Sequence, residues 1–178
     1  MVQPKATKKL KNEIYSNLAI VIAVVLLAVG GLAYWAHSFI GDMVQRELAA
    51  QKVYFPEKGS PAFDAATYPE LQKYAGQIVD TPDKAEAYAN GYIGRHLQKV
   101  ANGKVYSEVS AESMKNPTDQ KLQQQKQTLF QGETLRGLLL TSGYGFGTVA
   151  KIAGTASLVL VVAAAGLVSL AAFLRIKI

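Results

Sequence analysis

Residues 18–40 read LAIVIAVVLLAVGGLAYWAHSFI, 23 positions without one Asp, Glu, Lys or Arg. Coiled as an α-helix, this run measures roughly 34 Å, more than the ~30 Å hydrocarbon core of a bilayer. Residues 152–174, IAGTASLVLVVAAAGLVSLAAFL, form a second uncharged run of the same length. Lipid offers the backbone no hydrogen-bond partner, so the two runs predict two transmembrane helices; strands there would leave open edges. Lys8, Lys9 and Lys11 precede the first run, and Gly31-Leu32-Ala33 loosely imitates a cleavage site. The run nevertheless exceeds the roughly 7–15 residues of a signal-peptide core, so it is expected to remain as an anchor.

The flanks set the expected orientation. Residues 1–17 carry Lys5, Lys8, Lys9 and Lys11 against Glu13, and residues 175–178 carry Arg175 and Lys177 with no acid. Basic flanks favour the cytoplasm, so both termini should lie there, in a plasma membrane, as an even number of spans also requires. Residues 41–151 are then extracytoplasmic. They hold 13 Lys and Arg against 12 Asp and Glu, so the net charge of +6 belongs almost wholly to the two tails. What resembles a nucleic-acid signal is a topology signal, and no nucleic-acid partner is expected. Tyr15, Tyr34 and Trp35, with Lys151, Arg175 and Lys177, fall near the run ends, where amphipathic rings and long cations anchor at the interface.

The outer segment reads as helical. The first helix should continue for two or three turns past residue 41, with Met43, Val44 and Leu48 on one side, and stop near Tyr54-Phe55-Pro56. Breaker chemistry over residues 57–67 predicts a loop that turns Phe55 and Phe63 inward. A short helix is expected over residues 69–75, closed by Gly76. Thr81 as N-cap, Pro82 at the first helical position and Asp83 in the first turn open a longer helix. It presents Ala85, Tyr88, Ala89, Tyr92, Leu97 and Val100 at helical spacing and ends at Asn102-Gly103. Asn116-Pro117 and Asp119 open another, which runs through a Gln-rich, solvated or partner-facing stretch towards the second span. A short hairpin between residues 53–55 and 105–106 is the one strand pairing the pattern allows. The fold class expected is all-α: two transmembrane helices joined by a mainly helical extracytoplasmic domain.

Little in the chain carries chemistry. Cysteine is absent, which excludes a disulfide framework, thiolate metal sites and covalent haem attachment. Of two histidines, His37 falls at the outer end of the first span, in reach of headgroups, and His96 on the helix that follows Thr81. Neither has a neighbouring ligand at metal-binding spacing, and His96 reads as a surface or interface residue. Proton and ion paths usually require intramembrane ionisable groups, and neither span contains Asp, Glu, Lys or Arg. The spans read instead as packing devices. Ala150, Gly154 and Ser157 form a small-residue stripe at i, i+4 and i+7, and Gly143 and Gly147 give a Gly-x-x-x-Gly spacing at the membrane entry. Their partner is either the chain's own other span or another subunit. Glu133 and Arg136, at i and i+3, can pair and leave the guanidinium for a lipid phosphate or a partner carboxylate.

Four strings, KYAGQIVD (73–80), AYANGYI (87–93) with His96-Leu97, GKVYSEVS (103–110) and TLFQGETLRGLLL (128–140), resemble an actinobacterial family of two-span membrane proteins. The resemblance covers most of residues 45–174. Some members bear the label of an aromatic ring-opening dioxygenase; such an enzyme binds iron through two His and a carboxylate in one pocket, a set these residues do not supply. The chain also resembles, in size, topology and compartment, a small accessory subunit of the actinobacterial cytochrome bcc and cytochrome oxidase supercomplex. That resemblance implies a non-catalytic subunit without a cofactor of its own. Its partners would be other membrane subunits, haem-containing ones included, and the lipid bilayer. An independent envelope module, binding or sensing through the outer domain, is the competing expectation.

Overall fold

The computed structural model describes residues 4–176, and its regular elements are helices and helical turns. They are α1 (Pro4–Ala50), α2 (Pro82–Glu86), α3 (Gly94–Val100), α4 (Tyr106–Lys115), α5 (Gln120–Leu138) and α6 (Phe146–Ile176). Two π-helical segments, Ala87–Ile93 and Leu139–Gly145, join α2 to α3 and α5 to α6, so Gln120–Ile176 is one continuous helix. Two 3-10 turns, Pro61–Phe63 and Pro69–Tyr74, punctuate the segment between α1 and α2. Chain contacts divide the molecule into two units. One contains Met1–Phe39 and Val149–Ile178, the other Ile40–Thr148.

The first unit pairs two helices long and apolar enough to cross a membrane. Their most apolar windows bury only 17% of their residues, whereas the core helix of a water-soluble domain is mostly covered. Burial selects small side chains. Ser16, Ala23 and Gly30 on α1 are enclosed, as are Ala150, Ser157, Ala164 and Ala171 on α6. Each series steps by seven, the repeat that keeps one seam facing a partner helix. Large residues point away from the seam, with Leu32 68%, Trp35 64% and Val162 63% exposed.

The second unit has an ordinary hydrophobic core. Val44 and Leu48 of α1 meet Phe55, Phe63, Tyr68, Leu71, Val79, Leu97, Val109, Leu129 and Leu139. α1 stops where Lys52 takes a positive φ of 52°. The chain then runs extended and makes one antiparallel bridge, Tyr54 to Ile78. Phe55 N–H donates to Gln77 O at 2.9 Å and Val79 N–H to Val53 O at 2.8 Å. Residues 53–55 therefore pair with 77–79. The hairpin expected with residues 105–106 does not form, because Val105 and Tyr106 open α4. Pairing across the nearer loop closes fewer residues and costs less chain entropy.

The caps lie where their side chains demand. Thr81 Oγ1 accepts from Lys84 N–H at 3.3 Å, and Asp119 Oδ1 accepts from Leu122 N–H at 3.1 Å. Gly76, at φ 69°, closes the Pro69–Tyr74 turn, which is 3-10 rather than α. The helix begun at Thr81 is not uniform. Ala85, Ala89, Ile93, Leu97 and Ala101 are buried at strict steps of four, and in an α-helix such a row drifts by about 40° per step. The wider π turn, in which Gly94 N–H reaches Ala89 O five residues back, counters that drift and holds the row on one face.

Candidate functional site

Three features of the first unit form the helix seam. At one end Ser16 Oγ donates to Ala171 O at 3.1 Å and accepts from Arg175 Nε at 2.9 Å. Arg175 also donates to Asn17 Oδ1 at 3.0 Å. Arg175, expected as an interface anchor, thus clasps α1 as well. In the middle, Gly30 lies against α6, where an added Cβ would come within 3.4 Å of Leu160 Cβ. At the far end His37 Nδ1 lies 2.8 Å from Ala150 O. A carbonyl only accepts, so Nδ1 carries the proton and the ring is tied to the partner helix. The His37 ring fills the notch left by Gly154, where a Cβ would come within 2.8 Å of Nδ1. His37 was expected to reach headgroups; its Nδ1 is engaged inside the seam.

The small-residue stripe of Ala150, Gly154 and Ser157 therefore packs against the chain's own α1. The seven-residue series through Ser16, Ala23 and Gly30 escaped the sequence reading, although its spacing was there to be counted. Tyr15, Tyr34, Trp35 and Lys151 are exposed, and Trp35 stacks on Phe39 with ring centroids 5.4 Å apart. Lys177 lies outside the described residues.

Gly143 and Gly147 serve the second unit. A Cβ on Gly143 would lie 2.9 Å from Ala85 Cβ, and one on Gly147 only 2.1 Å from Pro82 Cγ. The Gly-x-x-x-Gly spacing thus admits α2 to the helix surface. Leu139, Gly143 and Gly147 form another four-step buried row, and the second π segment accompanies it. Arg136 pairs with Glu133 at 3.2 Å as expected, but its other arm donates to Asn90 Oδ1 at 2.9 Å. The guanidinium is thereby held between α5 and the first π segment. Two glutamines of the Gln-rich stretch are also engaged: Gln125 Nε2 donates to Val100 O at 2.9 Å and Gln123 Nε2 to Ser113 O at 3.4 Å.

Six rings form a continuous cluster at the centre of this unit. Phe55 meets Phe63, Tyr74 and Tyr88 at centroid separations of 6.1, 5.2 and 5.0 Å. Tyr92 meets Phe63, Tyr68 and Tyr88 at 5.7, 5.4 and 5.1 Å, and the exposed His96 extends the row at 6.4 Å. Four tyrosines are thus drawn inside, while Tyr54 and Tyr106 keep exposed rings. Burial raises the hydroxyl pKa of Tyr88 to about 12 and pushes those of Tyr68 and Tyr92 upward. Arg95 and Lys99 lie over the Tyr68 ring at 5.8 and 5.6 Å. Arg95 also donates to Thr67 O at 2.8 Å and pairs with Glu70. Hydrogen bonds to its own backbone N–H and to Arg95 hold the Glu70 carboxyl below its usual range.

A cleft of about 520 Å³ opens between the Pro69–Tyr74 turn and the first π segment, with Glu70, Tyr74, Glu86 and Asn90 in its wall. No group of three or more His, Asp or Glu side chains able to hold a metal ion occurs among the described residues. Comparison with protein-family models, curated proteins and solved structures finds no match.

Proposed function

We propose that the chain is a two-span protein of the plasma membrane and a non-catalytic accessory subunit of a larger membrane complex. The observation that carries the membrane reading is the inverted burial of the first unit: Ser, Ala and Gly inside, Leu, Val, Ile and Trp outside. In water a helix pair buries its large apolar residues, whereas in lipid there is no such drive and small residues permit close approach. The basic tails support an orientation with both termini in the cytoplasm and residues 41–151 outside it. The resemblance to an actinobacterial two-span family, and to small accessory subunits of the cytochrome bcc and oxidase supercomplex, supports that supercomplex as the proposed partner. Spans without Asp, Glu, Lys or Arg, and an outer domain in which Arg95 and Arg136 are engaged within the fold, support a bracing role over catalysis or transport.

Affinity purification in mild detergent tests the reading. Haem-bearing subunits should co-purify and give cytochrome absorbance; elution of the chain alone, without haem, overturns the accessory role. The cleft beside the first π segment favours the second reading, an envelope module that binds or senses a small ligand. That reading requires the outer domain to bind such a ligand in the absence of any partner subunit.

A further inference from the structure

Tyr106 at the head of α4 and Phe130 on α5 stand with ring centroids 5.8 Å apart, yet 38% and 57% of these residues stay exposed. They flank a groove of about 360 Å³ whose wall is completed by Gln123, Lys126 and Gln127, with no Asp or Glu. Gln123 Nε2 is committed to Ser113 O and Pro117 O. The Lys126 ammonium, the Gln127 amide and the Tyr106 hydroxyl have no partner among the described residues. The acids of the two helices are engaged elsewhere. Glu108 accepts from Val105 N–H at 2.9 Å, Glu112 takes Lys104 at 2.6 Å, Asp119 caps α5 and Glu133 pairs with Arg136. A half-buried ammonium beside two exposed rings is thus left without a counter-charge in the fold, and such a group favours an anion brought from outside.

From this arrangement we infer that the groove docks an acidic segment of a partner protein, one in which a large apolar side chain adjoins a carboxylate. The apolar side chain packs on Tyr106 and Phe130, ring types that anchor interfaces. The carboxylate takes the Lys126 ammonium, with the Gln127 amide beside it. The inference rests on the accessory reading above, which puts a partner subunit against this chain. A second copy does not fit, because its matching surface would set cation against cation while its acids are already engaged. A lipid tail does not fit either, because the amides in the wall would lose water to hydrocarbon and gain no hydrogen bond.

The exposed Gln131 lies one turn beyond Gln127 and outside the groove, so the photo-reactive residue p-benzoylphenylalanine at position 131 reports on an occupant without blocking it. The full-length chain carrying it is photolysed in membranes of the native host. A single protein adduct is expected, and mass spectrometry should place the cross-link within a few residues of an Asp or Glu that adjoins a large apolar side chain. Lys126→Glu should lower the adduct yield on the order of tenfold, as like charges brought together at an interface do, and Phe130→Ala by about the same factor. Lys126→Arg should keep the yield, and Lys58→Glu, the same reversal at an exposed position outside the groove, should leave it unchanged. An adduct between two copies of the chain, an adduct to lipid, or a protein adduct indifferent to Lys126→Glu overturns the docking site. Absence of any adduct while haem-bearing subunits still co-purify also overturns it, and the accessory reading then stands. A chain that elutes without haem and yields no adduct removes that reading, and the docking site with it.

Discussion

Gly147 and Gly137 stand on one continuous helix with opposite requirements. A Cβ at 147 would collide with the Pro82 ring, which cannot rotate away, whereas nothing lies within 4 Å of a Cβ at 137. Gly147→Ala should destabilise the second unit by about 1–3 kcal/mol, the usual range for overpacking. Gly137→Ala should stabilise it by about 0.8 kcal/mol through helix propensity. Thermal melts of the detergent-solubilised protein, followed by helical circular dichroism, measure both; equal shifts would refute the close approach of α2. Ser16 stands at the other end of the size scale. It donates to Ala171 O and accepts from Arg175, so Ser16→Ala should cost the helix pair about 1 kcal/mol. A fall in the same melt, matched by Arg175→Ala and not additive with it, is the expected result.

At the scale of elements, the π segment Ala87–Ile93 sets both faces of its helix. Its i+4 row buries Ala85, Ala89 and Ile93, while Tyr88 and Tyr92, also four apart, join the ring cluster. Burial of Tyr88, reinforced by the neighbouring Tyr92, favours the neutral hydroxyl in the folded chain. The unfolded chain gives up that proton near the ordinary value of 10.0, the folded one near about 12. Between these limits the folded state binds more protons, so the contribution is complete below pH 10 and lost as pH rises through 12. Alkaline titration should therefore unfold the second unit in this window, with tyrosinate absorbance and loss of near-ultraviolet dichroism rising together. Tyr88→Phe should make the loss shallower and shift it upward, leaving the contributions of Tyr68 and Tyr92. An unchanged alkaline profile in that variant would exclude Tyr88 as the titrating group.

Across the whole molecule, the decisive property is the partition of charge and bulk. The 13 cations and 12 anions of residues 41–151 nearly cancel, the two runs carry none, and the tails hold the excess. Topology can be read directly, because the chain has no cysteine of its own. A membrane-impermeant maleimide should label the exposed position 58 as Lys58→Cys on intact cells, and Lys9→Cys only after permeabilisation. The reverse pattern would invert the orientation, and labelling of both on intact cells would remove the membrane reading.

Length and absence of charge were legible in residues 18–40 and 152–174 because spanning capacity is a local property of a helix. The cap at Thr81 was legible for the same reason, since its side chain bonds a backbone N–H three residues away, whereas the helix signalled at Asn116-Pro117 starts after Asp119, which caps it. The fate of the small residues was not. Ala150, Gly154 and Ser157 announce a close approach without naming the partner, since a stripe fits α1 and a foreign helix equally well. Only the return of the chain decided that Gly147 admits Pro82, that His37 binds Ala150 O, and that Arg136 is spent on Asn90. Neighbours along the chain were enough to determine two apolar runs, their basic flanks and a helical segment between the runs. The tertiary structure alone decided the seam and the ring cluster, because these depend on residues up to 162 positions apart meeting in space.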